Sequence, residues 1–172
     1  MTPFYRPGVG RSKVAVTPNE ERTVVLTNTA LEEAVIYSLD HDPRIPDSNE
    51  IAVSADEGIV VLRGSVESFG QRRAAAGDAR TVEDVYEVDN QLKVNLPDAD
   101  RREDHEIRGA ALQALIWDTD VPSDFVDVKV RDGWITLKGD VGYQFQSDAA
   151  YDDVATLYGV YGVTNEIKVN DV

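Results

Sequence analysis

Residues 31–94 and 107–169 spell one pattern twice. Gly58 is matched by Gly133, Leu62 by Leu137, Gly64 by Gly139 and Val66 by Val141; Ala75 is matched by Ala150, Val85 by Val160 and Asn90 by Asn165, each pair 75 residues apart. Upstream, Leu31, Ala34, Leu39 and Asp42 fall on Ile107, Ala110, Leu115 and Asp118 at a spacing of 76. One single-residue gap between Ile45 and Ile51 reconciles the copies. A duplicated unit with a fixed order of elements constrains the fold more than any single residue does. The matched positions are glycines and apolar residues, which direct folding rather than chemistry.

The repeat divides the chain into a flexible tail (1–28), a first unit (29–95), a short linker (96–103) and a second unit (104–172). Units of roughly 65 residues bury only about 60 % of their unfolded surface and are marginal alone. The two are therefore expected to pack on each other, in a monomer. Cysteine is absent, which excludes disulfides and thiolate chemistry. No apolar run approaches the roughly 18–20 residues needed to cross a bilayer. Met1–Gly10 lacks the order of a secretory leader, so a cytoplasmic location is expected.

The net charge of −15 is uneven. Residues 1–30 carry Arg6, Arg11, Lys13 and Arg22 against Glu20 and Glu21, whereas both repeats are strongly acidic. Two acidic bodies repel phosphate backbones, which argues against nucleic acid as a partner. An anionic bilayer is disfavoured on the same ground.

Each unit reads as α-β-β-α-β. Thr29-Ala30-Leu31-Glu32 has the form of a capping box, and Leu31, Ala34, Val35 and Leu39 follow at helical spacing. Asp100-x-x-Glu103 or Asp104 begins the matching helix, with Ile107, Ala110, Ala111, Ala114 and Leu115 as its stripe. These helices are expected to end near Asp42-Pro43 and Asp118. Alternating strands then flank Glu57-Gly58 and Asp132-Gly133, the turn dipeptides of tight hairpins. Ser68-x-x-Gln71 caps an alanine-rich second helix whose counterpart is Gln144–Leu157, and Val88–Val94 and Val163–Val169 close the units. The expected fold class is α+β: two αββαβ units, each a small three-stranded mixed sheet with two helices packed on one face.

No catalytic signature is present: no Walker loop, no His-Glu-x-x-His and no Gly-x-Ser-x-Gly. Gly8-Val9-Gly10 follows no expected strand and opens no helix, so it is read as tail. Only His41 and His105 are available as neutral-pH bases, and they are not equivalent in the repeat. An enzyme would need one of them beside a carboxylate in an open pocket, so the chain is read as non-enzymatic and without cofactor or bound metal. Asp42 and Asp118 are equivalent carboxylates and form the candidate pair for a hard cation. Their competing role is to hydrogen-bond their own turns.

Trp117 stands where the first copy has His41. With Ile116, Val121 and Phe125 it could form an apolar lip at the helix end, suited to a lipid or protein partner. The other reading makes Trp117 the contact on which the two units pack. Trp134 opens a strand and is expected in the core.

The ordered set resembles the BON domain, a bacterial module named for osmotically induced and nodulation-related proteins. The residues that carry the resemblance are Asp132-Gly133-Trp134-Ile135-Thr136-Leu137-Lys138-Gly139-Asp140-Val141 and Gly159-Val160-Tyr161-Gly162-Val163-Thr164-Asn165. The first copy departs at Asp84, where the pattern has glycine, and an altered path into its last strand is expected. The resemblance implies a binding module for stress or envelope maintenance, with phospholipid or an envelope protein as partner. It would act through the ends of the first helices and the groove between units. One family arrangement, a BON domain joined to a LysM domain, senses potassium, but no LysM-like segment occurs here.

Overall fold

A computed structural model describes residues 26–170. Gly8-Val9-Gly10 and most of the expected tail lie outside the described residues. The first unit runs α1 (Asn28–Asp40), β1 (Ile51–Asp56), β2 (Ile59–Val66), α2 (Phe69–Thr81) and β3 (Glu87–Val94). The second repeats it as α3 (Asp104–Trp117), β4 (Val126–Arg131), β5 (Trp134–Val141), α4 (Gln144–Ala155) and β6 (Gly162–Val169). Each sheet is three-stranded with the hairpin's return strand in the centre, antiparallel on one side and parallel on the other. The αββαβ reading is therefore the observed architecture.

The inner faces follow from strand alternation. Val60 and Leu62 in β2, and Ile135 and Leu137 in β5, are fully buried beneath Leu31, Val35 and Leu39 of α1 or Ile107, Ala111 and Leu115 of α3. Ala75 and Ala79 of α2, and Ala150 and Val154 of α4, are buried at the second helix of each core. Asn90 donates to the carbonyl of Arg72 at 2.9 Å, and Asn165 donates to the Ser147 hydroxyl at 2.9 Å. These equivalent asparagines pin the last strand to the second helix. Gly64 and Gly139 are obligatory for a steric reason: a Cβ there would stand 1.9 Å from the Glu50 carbonyl oxygen or 2.0 Å from that of Phe125.

Several local expectations are corrected. Thr27, not Thr29, caps α1, its hydroxyl accepting from the Ala30 amide at 3.2 Å. Glu32 instead reaches β1 and accepts from the Ala55 amide at 2.9 Å. Ala110 faces solvent, because the buried stripe of α3 needs only Ile107, Ala111 and Leu115. Trp134 is 47 % exposed: Ile135 and Leu137 take the inner face, so strand alternation turns residue 134 outward. Its ring covers Gly162 and its indole N–H donates to the Thr164 hydroxyl at 2.8 Å. Asp84 leaves the path into β3 unchanged, since it adopts the left-handed conformation (φ 69°) that Gly159 adopts in the second unit (φ 84°).

The contact between units is also corrected. Trp117 is 75 % exposed and takes no part in it. Phe69, at the start of α2, is 4 % exposed and belongs to the apolar cluster of the second unit. Val94 packs against both clusters. Arg73 adds an ion pair to Asp152 at 2.5 Å, with its guanidinium 4.7 Å from the centre of the Tyr151 ring. The equivalent of Phe69 in the second copy is Gln144, so the docking contact is unsymmetrical.

Candidate recognition site

The chain brings four segment ends together at one end of the second unit. The start of α3 is fixed to the β4–β5 turn, where Asp104 accepts from the amides of Asp132 and Gly133 at 2.9 Å. Its last residue, Trp117, therefore lies at the opposite end of the sheet. Val126 pairs with Gly139, so β4 begins at that end as β5 finishes there, and α4 starts just beyond. This placement sets Ile116, Trp117, Phe125, Tyr143 and Phe145 at one end, all of them exposed. Tyr143 and Phe145 stack with ring centres 5.6 Å apart. Large apolar side chains concentrated at one end mark a contact surface more often than scattered ones do.

Val121 is not part of this surface. It is 6 % exposed and lies in the core, as does Ile45, its repeat partner. The lip proposed from sequence thus keeps Ile116, Trp117 and Phe125, loses Val121 and gains Tyr143 and Phe145. The first unit has Asp40, His41, Glu50, Ser68 and Gly70 at the five equivalent positions. In the first unit Ser68 caps α2 by accepting from the Gln71 amide at 3.1 Å; at Tyr143 the second unit lacks that hydroxyl cap and keeps only the Gln146 side chain, which accepts from the Tyr143 amide at 3.1 Å. Such a cap contributes about 1 kcal/mol.

The cation candidates are engaged within the protein. Asp42 accepts from the Arg44 backbone amide at 2.8 Å and from its guanidinium at 2.5–3.0 Å, the hydrogen bonds from which hold its carboxyl down at about 2. The same guanidinium reaches Asp78 of α2 at 3.3 Å. Burial first, then the hydrogen bond and charge of Asp42, push Asp78 up to about 6 against the pull of Arg44. Asp118 accepts from the Asp120 amide at 2.8 Å, in the turn that the repeat places beside Asp153 of α4. Burial, the charge and hydrogen bond of Asp118, and the charge of Asp152 push Asp153 up to about 6. Asp42 and Asp118 thus hold their own turns and meet one carboxyl each. Among the described residues no three His, Asp or Glu side chains are grouped to hold a metal.

His41 lies in an open depression of about 690 Å³ that Asp42 and Asp78 also line. Its ring stacks on Tyr37 at 3.9 Å with Nδ1 on the Tyr37 carbonyl at 2.8 Å, while Arg44 occupies the Asp42 carboxylate. His105 is far from it, at the start of α3, 3.5 Å from the exposed Glu103. The groove between the units is a cleft of about 610 Å³, with Arg44, Gln71, Arg73, Leu96, Leu157 and Tyr158 in its walls. Among the described residues no helix is long and apolar enough to cross a membrane.

Sequence reasoning missed Tyr143, Phe145, Phe69, Asp78 and Asp153. The first three carried a signal in the repeat: each bulky residue stands against a small or polar partner, namely Ser68, Gly70 and Gln144. The aspartates had a fainter one, since their equivalence requires the 75-residue spacing while their neighbours Asp42 and Asp118 require 76.

A duplicated αββαβ unit whose second copy alone carries an aromatic end defines a tandem of two small α+β domains. The sequence profile of the BON domain matches residues 27–95 and 103–171, and the chain belongs to the BON family. It is 35 % identical over 130 residues to osmotically-inducible protein Y of Escherichia coli (strain K12). That match covers 70 % of this chain and 62 % of the relative's length. In structure it is similar to the C-terminal domain of CdsD, a structural protein of the type III secretion system of Chlamydia trachomatis. The likeness has 16 % identity and a TM-score of 0.35, over 86 % of this chain and 69 % of that one. A second CdsD structure gives a TM-score of 0.36 at the same identity, over 88 % and 67 %. Neither likeness bears on function.

Proposed function

We propose that this tandem BON protein is a non-catalytic recognition module that grips a protein surface with the aromatic end of its second unit. The observation that carries the reading is the placement of Ile116, Trp117, Phe125, Tyr143 and Phe145 at one end, against polar equivalents in the first unit. Asp118, Asp120 and Asp124 lie in the turn between Trp117 and Phe125, and Asp140 is near the end of β5. Carboxylates among aromatic side chains favour a partner with basic groups and disfavour an anionic bilayer. The likeness to an osmotically inducible protein supports a role under osmotic stress or in envelope maintenance. The cleft between the units is a second, smaller contact in this reading, and the setting is cytoplasmic, which cell fractionation tests.

The test pairs capture with sedimentation. The intact chain and a Trp117→Ala/Phe125→Ala variant are cross-linked in extract of the native organism, and both are spun with phosphatidylcholine vesicles with and without phosphatidylglycerol. The expected result is a captured protein whose yield falls about tenfold in the variant, an interface aromatic being worth at least ~1.4 kcal/mol, with no sedimentation of either chain. Equal capture by both chains removes the aromatic end from the contact. Sedimentation of the intact chain alone makes the partner a lipid surface and overturns the protein reading.

A further inference from the structure

The repeat preserves one arrangement that no part of the recognition reading uses. In each unit an aspartate in the turn after the first helix stands beside an aspartate on the second helix: Asp42 and Asp78 share the Arg44 guanidinium at 2.5 and 3.3 Å, and Asp118 and Asp153 hold the equivalent places in the second unit. An ionised carboxylate is an acceptor only, so two of them share a hydrogen bond only when one holds a proton. The second observation concerns enclosure. Oδ2 of Asp78 and Oδ2 of Asp153 are both shut off from solvent, and neither has a protein partner among the described residues. A buried carboxylate oxygen without a donor is costly, and protonation removes the charge part of that penalty and leaves an O–H that can donate.

What differs is the third group. Arg44 bridges the first pair, lying 2.5 Å from Asp42 and 3.3 Å from Asp78. The residue equivalent to Arg44 in the second unit is Asp120. The charges acting on Asp153 are Asp118 from the turn and Asp152 from its own helix. Arg73 reaches α4 from the first unit, but its guanidinium sits on Asp152 and over Tyr151. The first pair therefore stays bridged when the proton leaves, and the second becomes bare repulsion.

We propose that each unit carries a proton-held latch between the turn after its first helix and its second helix, and that only the latch of the second unit opens when the proton leaves. The latch of the second unit holds the turn that carries Trp117 to Phe125. Asp118 directly follows Trp117, its Oδ1 accepts from the Asp120 amide at 2.8 Å and its carbonyl accepts from the Val121 amide at 3.3 Å. The sign follows from the raised value of Asp153. Its contribution to stability is full below the unfolded value of 3.8 and is lost as pH rises through about 6. Acid tightens this turn and neutral pH loosens it.

Carbon-detected NMR of the intact chain tests this, with amide exchange of Asp120 and Val121 corrected for intrinsic base catalysis. The Asp153 carboxyl should titrate near pH 6. Protection of the two amides should fall about tenfold between pH 5 and 7.5. That is less than the roughly hundredfold that a carboxyl raised from 3.8 to about 6 permits in a dry site, because Asp153 is partly exposed. The equivalent amides of Arg44 and Ile45 should stay flat. Asp153→Asn, which keeps a donor at all pH values, should abolish the dependence in the second unit. Asp120→Arg, which restores the bridging cation, should abolish it by the other route. Titration of Asp153 near 4, or an unchanged pH profile in both variants, overturns the latch. Binding plays no part in the readout, so this result and the fate of the recognition reading remain separate.

Discussion

The two ends that lie away from the hairpin turns are the same piece of fold with opposite surfaces. In the first unit Asp40 accepts a short hydrogen bond from Ser48, His41 stacks on Tyr37, and Ser68 caps α2. In the second, Ile116, Trp117, Tyr143 and Phe145 occupy the equivalent places and leave their apolar area in water. The buried framework beneath is unchanged: Ile45 matches Val121, Leu39 matches Leu115, and Gly64 matches Gly139. Exposed aromatic area contributes little to the stability of the unit that bears it, so stability does not explain its presence on one copy alone. Duplication fixed the frame, and divergence has been confined to side chains that the frame does not need.

If that division is right, substitutions in the frame and on the ends should separate cleanly in energy. The largest effect is expected at the docking contact, which is frame for the pair although it is not repeated. Phe69→Ala should cost about 3 kcal/mol, the low end for truncating a buried phenylalanine. It should also let the units part, seen as a lower denaturation midpoint together with a larger radius of gyration in solution scattering. The matching Gln144→Ala should change neither. A second unit as unstable to Gln144→Ala as to Phe69→Ala would break the asymmetry.

The next comparison sets core against lip within a few residues of sequence. Val121→Ala and Ile45→Ala should each cost about 2 kcal/mol, since both remove buried methyl groups and leave a cavity. Trp117→Ala should stay within about 0.5 kcal/mol despite deleting a far larger side chain, because its surroundings are mostly solvent. Urea unfolding of the three variants measures all of these. A Trp117→Ala loss as large as that of Val121→Ala would return Trp117 to the framework.

The element order, both hairpins and both cores were legible because the repeat states each of them twice. Errors arose where one copy was read without the other. Val121 belongs with its repeat partner Ile45, apolar and buried like it, and not with Trp117. Trp134 opens a strand, but alternation through Ile135 and Leu137 turns it outward. Thr29 and Glu32 have the spacing of a capping box, but Glu32 bonds instead to the backbone of β1, a long-range preference that no local motif encodes. The carboxyl pairs are only faintly marked for the same reason: Asp42 and Asp78 meet only after α1 and α2 have packed. Non-local contacts are the part of a small α+β fold that periodicity leaves open.

The smallest expected effect tests whether a departure from the repeat has been absorbed by the frame. Asp84 holds a left-handed conformation that costs an ordinary residue about 1 kcal/mol, less for aspartate. Its Oδ2 accepts from the Leu26 amide at 3.0 Å, a bond of about 1 kcal/mol. In the second unit Gly159 needs no such compensation, and a Cβ there would come within 2.8 Å of the Arg102 side chain and 3.1 Å of its amide. Arg102 is the repeat equivalent of Leu26, so the same two stretches meet in both units by different means. Asp84→Gly trades backbone relief against the lost bond and should leave stability within about 0.5 kcal/mol. Gly159→Asp gains no room for its Cβ and should cost about 1 kcal/mol, by thermal unfolding at matched pH. Equal costs for the two would mean that the aspartate brought no compensation, and that the first unit carries the strain of its own departure.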